Sequence, residues 1–114
     1  MPASLPLRSV EFEVLITLAQ GDRHGYAVIQ ETAARTGGRV RLETGTLYRA
    51  LKRLVEAGLV RPAGRRTDAP ADQRRRYYAI TAAGRRAAAT EAARLSRLVE
   101  SARSAHLLPG TAGS

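Results

Sequence analysis

The sequence predicts a mainly helical fold with one small β-hairpin, and three observations predict it. Three segments before residue 58 repeat apolar residues at helical spacing and each ends in glycine. An arginine-rich stretch then reads as two short strands around a polar turn. A long Ala/Arg-rich segment closes the chain. Three helices followed by a hairpin describe a winged helix-turn-helix, here extended by a long C-terminal helix. The expected division is a winged helix-turn-helix domain over 9–81, a dimerisation helix over 82–108 and a disordered tail over 109–114.

The first helix is expected to be capped by Ser9, whose hydroxyl can accept an orphan amide. Phe12, Leu15, Ile16 and Ala19 share one face, and Glu11 and Glu13 suit the positive end of the helix dipole. The second helix is expected from His24 to Thr36, with Tyr26, Ile29 and Ala33 on its buried edge and Gly37-Gly38 as its stop. Val40-Arg41-Leu42 suits a short extended piece.

Thr44 is placed to cap the third helix, Gly45 to Ala57. Leu47, Leu51 and Leu54 line its inner edge, flanked by Ala50 and Val55. The opposite edge carries Thr46, Arg49, Arg53 and Glu56, with Lys52 beside them. Leu59 to Gly64 reads as a strand that Pro62 confines to a sheet edge, and Arg75 to Ile80 as its return partner. Of Tyr77 and Tyr78, alternation points one inward, and Tyr77 is the expected packing residue. Thr81 can cap the last helix, which reaches to about Leu107. Its Ala88, Ala92, Leu95, Val99, Ala102 and His106 form a seam at alternating four- and three-residue steps, suited to a partner helix.

The chain has 114 residues and a net charge of +9. That charge is concentrated: residues 59–86 hold eight basic and two acidic side chains, net +6. A local excess of this kind marks a polyanionic partner. Arginine supplies nearly all of it, and its planar fork suits phosphate and guanine. There is no cysteine, so thiolate metal sites and disulfides are excluded. No apolar run approaches the ~18 residues of a membrane span, and the N-terminus has no signal-peptide pattern, so the expected location is cytoplasmic.

These elements together suit double-stranded DNA. The third helix would enter the major groove, with Thr46, Arg49 and Arg53 toward base edges, and Tyr48 and Lys52 toward phosphates. Thr44 and Gly45 would present free amides at the helix N-terminus. In the wing, Arg65, Arg66, Arg74, Arg75 and Arg76 would neutralise phosphates, while Asp68 and Asp72 oppose contact at its tip. Leu95, Leu98, Val99 and Ala102 are the candidate dimerisation residues.

Three segments carry a family resemblance: Leu18-Ala-Gln-Gly21-Asp-Arg-His24-Gly25-Tyr26-Ala-Val28-Ile29; Gly45-Thr46-Leu47-Tyr48 continued by Leu51, Leu54 and Gly58-Leu59-Val60; and Arg75-Arg76-Tyr77-Tyr78-Ala-Ile80-Thr81-Ala-Ala-Gly84. Over residues 12–86 the chain resembles the PadR family of bacterial transcriptional regulators, in its short form with a single C-terminal helix. The resemblance implies a homodimeric repressor, dimerised through its first and last helices, acting on an inverted-repeat operator and released by a small-molecule effector or another signal. Two departures stand out. The family often has proline at the position of Arg49, so a base-reading role for Arg49 rests on the helical wheel. Members that stack flat aromatic drugs do so on tryptophan, which this chain lacks.

His24 has two readings, a ligand or proton switch and a structural residue that caps or packs at a tight turn; the structural one is preferred, because one histidine makes no metal site. Arg85 and Arg86 oppose the dipole in the first turn of the last helix, a placement that points to phosphate contact. No carboxylate pair, catalytic triad spacing or phosphate-cradling glycine loop is present, so neither an enzyme nor a metal or cofactor site is expected. The alternative function is a winged-helix protein-interaction module without specific DNA binding.

Overall fold

The computed structural model describes residues 7–65 and 76–109. Its elements run α1 (Ser9–Ala19), β1 (Arg23–His24), α2 (Gly25–Arg35), α3 (Thr44–Glu56), β2 (Val60–Arg65), β3 (Arg76–Ile80) and α4 (Ala82–Ser104). The three strands form an antiparallel sheet in the order β1-β3-β2. Pro62 therefore lies on an edge strand, as its missing amide requires. The strand β1 was not expected; two residues are too few for a periodic pattern. It pairs Arg23 with Tyr78 and His24 with Tyr77.

The core gathers one stripe from each of the first three helices and the inner face of the hairpin: Val14, Leu15, Leu18, Val28, Leu47, Leu51, Leu54, Val60 and Tyr78, with Leu42 from the α2–α3 connection. Several expected details shift. On α1 the buried stripe runs through Glu11, Val14, Leu15 and Leu18, and Phe12, Ile16 and Ala19 are only half-buried beside it. On α2 it runs through Gly25, Val28 and Thr32, which turns Tyr26 outward at 52% exposure. Tyr78, rather than Tyr77, enters the core, while Tyr77 meets the His24 ring edge-on at 5.3 Å. Residues 40–42 form no strand.

The helix starts also move by one residue. Arg8 and Glu43 are the cap positions of α1 and α3, so Ser9 and Thr44 are first helical residues rather than caps. Glu11 serves α1 instead, its Oε1 accepting the Arg8 amide at 3.0 Å. His24 and Thr81 do cap: His24 Nδ1 accepts from the Ala27 amide and Thr81 Oγ1 from the Gly84 amide. The helix α4 stops at Ser104, and His106 lies past its end with φ of 63° rather than in its last turn.

Ionic contacts bind α1 to both following helices. Arg35 of α2 reaches the Glu13 carboxylate at 2.7 Å and the Thr17 hydroxyl at 3.1 Å. Arg53 of α3 reaches Glu11 at 2.7 Å. The start of α4 is fixed to the α3–β2 connection, where Thr81 donates to the Gly58 and Leu59 carbonyls through its hydroxyl and amide. Arg85 donates to the Ala19 carbonyl at the end of α1, a structural use of a residue whose placement pointed to phosphate contact. Further along, Glu91 is buried and receives both Nε and Nη2 of Arg94. Those charge-assisted bonds hold its carboxyl below the usual carboxylate range, helped by the Leu7 amide and opposed by desolvation.

Candidate nucleic-acid interface

The outer face of α3 is laid out by the burial of its inner one. Leu47, Ala50, Leu51 and Leu54 are buried, so helical geometry turns Thr44, Gly45, Tyr48, Arg49 and Lys52 to solvent, and all five are exposed. Thr46 is half-buried, and its hydroxyl accepts from Arg49 Nη2 at 3.4 Å. The Arg49 guanidinium lies back over Gly45, within 3.2 Å of where a side chain would begin there. The Tyr48 hydroxyl rests on Gly25 at the start of α2.

Arg53 departs from the expectation that it stands clear of the fold. It lies at the α1-facing flank of α3, with its Nε bonded to Glu11 Oε2 and its side chain 37% exposed. The arginines on the outer face of α3 are thus unequal: Arg49 is exposed, and Arg53 is tied at one edge to a carboxylate.

The hairpin adjoins the same face. A cleft of about 310 Å³ runs between α3 and the hairpin strands, lined by Tyr48, Lys52, Val55 and Glu56 on one side and Pro62, Arg76 and Tyr78 on the other, over Leu51. Lys52 and Arg76 therefore flank one groove. Arg61 of β2 is exposed as well, a hairpin cation the sequence reading did not single out. Of the expected wing arginines, Arg65 ends β2, pairing in register with Arg76, and Arg66, Arg74 and Arg75 lie outside the described residues. Glu11 was legible in the sequence only as an acid in the first turn of α1.

The candidate dimerisation residues fall on one side of α4. Leu98 and Val99 are exposed at 53% and 43%, and Leu95 and Ala102 are half-buried. Among the described residues there is no cluster of metal-ligating side chains, and no helix is long and apolar enough to cross a membrane.

A family profile described as the transcriptional regulator PadR-like family matches residues 14–90, most of the chain. The chain belongs to the PadR-like family. No curated protein matches it. Among solved structures, a transcriptional regulator from Clostridium thermocellum aligns at a TM-score of 0.71 with 23% identity, covering 83% of this chain and 90% of that one. A PadR family transcription regulator from Clostridium difficile gives 0.71 with 21% identity, over 85% and 97%. Bacillus subtilis PadR, solved in complex with operator DNA, gives 0.60 with 21% identity, over 71% of this chain and 45% of that longer one. The PadR-like chain shares their winged-helix fold and is itself mainly helical, with a small three-stranded sheet and a C-terminal helix.

Proposed function

We propose that this PadR-like regulator is a homodimer that binds an inverted-repeat operator in double-stranded DNA, represses transcription from it, and is released by a small-molecule or other signal. The observation that carries the reading is the shared groove: Lys52 of α3 and Arg76 of β3 line one cleft, so a helix cation and a hairpin cation border the same opening. A helix that enters the major groove would then bring the hairpin onto the adjacent backbone. The exposed Thr44, Gly45, Tyr48 and Arg49 complete that face, and Arg61 extends it along the hairpin. The operator complex of the Bacillus subtilis relative supports the same choice of ligand. Two copies joined along α4 through Leu95, Leu98, Val99 and Ala102 would hold two α3 helices about 34–36 Å apart, one turn of duplex. A cytoplasmic location and the absence of enzymatic activity go with this role.

The test is a mobility shift with the DNA upstream of the protein's own gene against a scrambled duplex at physiological salt, repeated over a salt series for Arg76→Ala. Selective retention of the upstream fragment is expected. Arg76→Ala should weaken binding to both duplexes and lower the salt slope by about 0.9, the value for one lost phosphate contact. Equal retention of both duplexes by the unaltered protein would leave a protein-interaction module as the better reading.

A further inference from the structure

We propose that Glu11, in the first turn of α1, is a positioning residue for DNA contact: its carboxylate presents the Arg53 guanidinium to a backbone phosphate at the edge of α3. This rests on the reading that α3 docks on duplex DNA. It departs from the expectation that Arg53 reads a base.

Both oxygens of Glu11 are committed. Oε1 accepts the Arg8 amide at 3.0 Å, which fixes the carboxylate to the start of α1, and Oε2 accepts Arg53 Nε at 2.7 Å. The acid is largely buried, its side chain 12% exposed, so it cannot swing away with its partner. Arg53 lies one helical turn beyond the exposed Arg49, on the flank of α3 that faces α1. An arginine has five N–H donors in a rigid fork. The contact with Glu11 uses Nε, and among the described residues the two Nη groups donate no hydrogen bond to the protein. With the side chain 37% exposed, the four Nη donors remain, and the end of the fork formed by Nη1 and Nη2 offers a two-donor edge that the Nε contact does not use. A free arginine must give up rotamer freedom to make a two-donor contact; one already held by its Nε has less to lose. The position is a flank and not the crest of the helix, which selects a phosphate over a base edge.

The proposal predicts an effect opposite to simple electrostatics. Removing the acid raises the net charge and should by itself tighten DNA binding. If the acid presents Arg53, its removal weakens binding instead. The experiment measures dissociation constants on the upstream fragment and on a scrambled duplex, over a salt series, for the unaltered protein, Glu11→Gln, Arg53→Gln, Arg53→Lys and the Glu11→Gln/Arg53→Gln double variant. Thermal melts establish that each variant is folded at the assay temperature.

Arg53→Gln should lose about tenfold on both duplexes and flatten the salt slope by about 0.9. Glu11→Gln should lose several-fold with its slope retained, and should lose nothing further in the Arg53→Gln background. Arg53→Lys, which keeps the charge but not the Nε geometry, should keep the slope and bind more weakly. A salt slope unchanged in Arg53→Gln would make the pair a brace between α1 and α3 and overturn the proposal, as would tighter binding by Glu11→Gln. If the unaltered protein shifts neither duplex, DNA binding fails and takes this inference with it. Normal binding by the unaltered protein with an unaffected Arg53→Gln slope removes the inference alone.

Discussion

Tyr48 of α3 lies with its hydroxyl against the backbone of Gly25 at the start of α2, so closely that a methyl group on Gly25 would come within 2.8 Å of the ring carbon Cζ. The glycine is therefore a seat for a side chain on the proposed DNA face, and not only a helix start. Ala at this position would ordinarily stabilise by about 0.4–1 kcal/mol through the unfolded chain. The overlap costs a similar amount, roughly 1 kcal/mol, because a half-exposed ring can swing aside. Gly25→Ala should thus change stability by less than about 1 kcal/mol while displacing Tyr48. In a Tyr48→Ala background the overlap disappears and the same change should stabilise. Denaturant midpoints of the four variants measure the coupling, and an identical Gly25→Ala effect in both backgrounds would contradict the seating.

Gly84 in the first turn of α4 is a harder case. A Cβ there would overlap the Leu59 carbonyl and approach Ile80 Cγ1 to 2.8 Å. That carbonyl already accepts the Thr81 amide, so it is backbone held in place and cannot yield as a ring can. Helix propensity alone would favour Ala by about 1 kcal/mol. Overpacking against fixed backbone costs about 1–3 kcal/mol or more and should win. The expected result is a lower denaturant midpoint for Gly84→Ala; a higher one would mean that α4 does not sit this close to the α3–β2 connection.

These two glycines show what the sequence made legible and what it did not. Among the described residues periodicity located each helix, because an amphipathic stripe is a local pattern. In α3 the inner Leu47, Leu51 and Leu54 and the outer Arg49 and Lys52 fall as the helical wheel places them. Pro62 marked an edge strand and Thr81 a cap for the same local reason. The larger misses come from contacts between distant residues. Glu11 and Arg53 meet across 42 positions of chain, and an acid in a first turn already has a sufficient local explanation in the helix dipole. The buried stripe of α1 is displaced because nearly every position from Phe12 to Ala19 is apolar or small, which leaves its direction to the packing partners. Tyr26 misled because an aromatic at helical spacing usually marks the core, whereas here it falls between Gly25 and Val28, off the buried stripe.

The Glu91–Arg94 pair makes a pH prediction whose sign follows from the lowered carboxyl pKa. A group with a depressed folded pKa stabilises the fold fully above its unfolded value, about 4.3 for glutamate, and loses that contribution as pH falls through the folded value. Glu91→Gln removes the contribution without removing the side chain's bulk. The variant should melt below the unaltered protein at neutral pH, and the two melting temperatures should converge as pH drops below about 4.3. A difference that stays constant from neutral to acid would show that the carboxylate's charge does not contribute there.

Dimerisation along α4 is the remaining structural expectation, and it can be broken at one position. Leu95, Leu98, Val99 and Ala102 recur at the spacing of a single helical stripe, yet Leu98 and Val99 are about half-exposed. The helix has 23 residues, or about 35 Å, more than the small core beneath its N-terminal half can cover. Apolar area left open on such a stripe favours a second copy by ~25 cal/mol per Å² buried. Leu98→Glu would place a charge in the middle of that seam, where desolvation has no partner to offset it, while leaving the winged-helix core untouched. Sedimentation equilibrium at micromolar concentration should give a dimer for the unaltered protein and a monomer for Leu98→Glu, with helical circular dichroism largely retained. Operator affinity should fall with the dimer, because each half-site then binds without the second. An unaltered protein that is monomeric at these concentrations would remove the α4 interface, and an inverted-repeat operator would then have no matching symmetry in the protein.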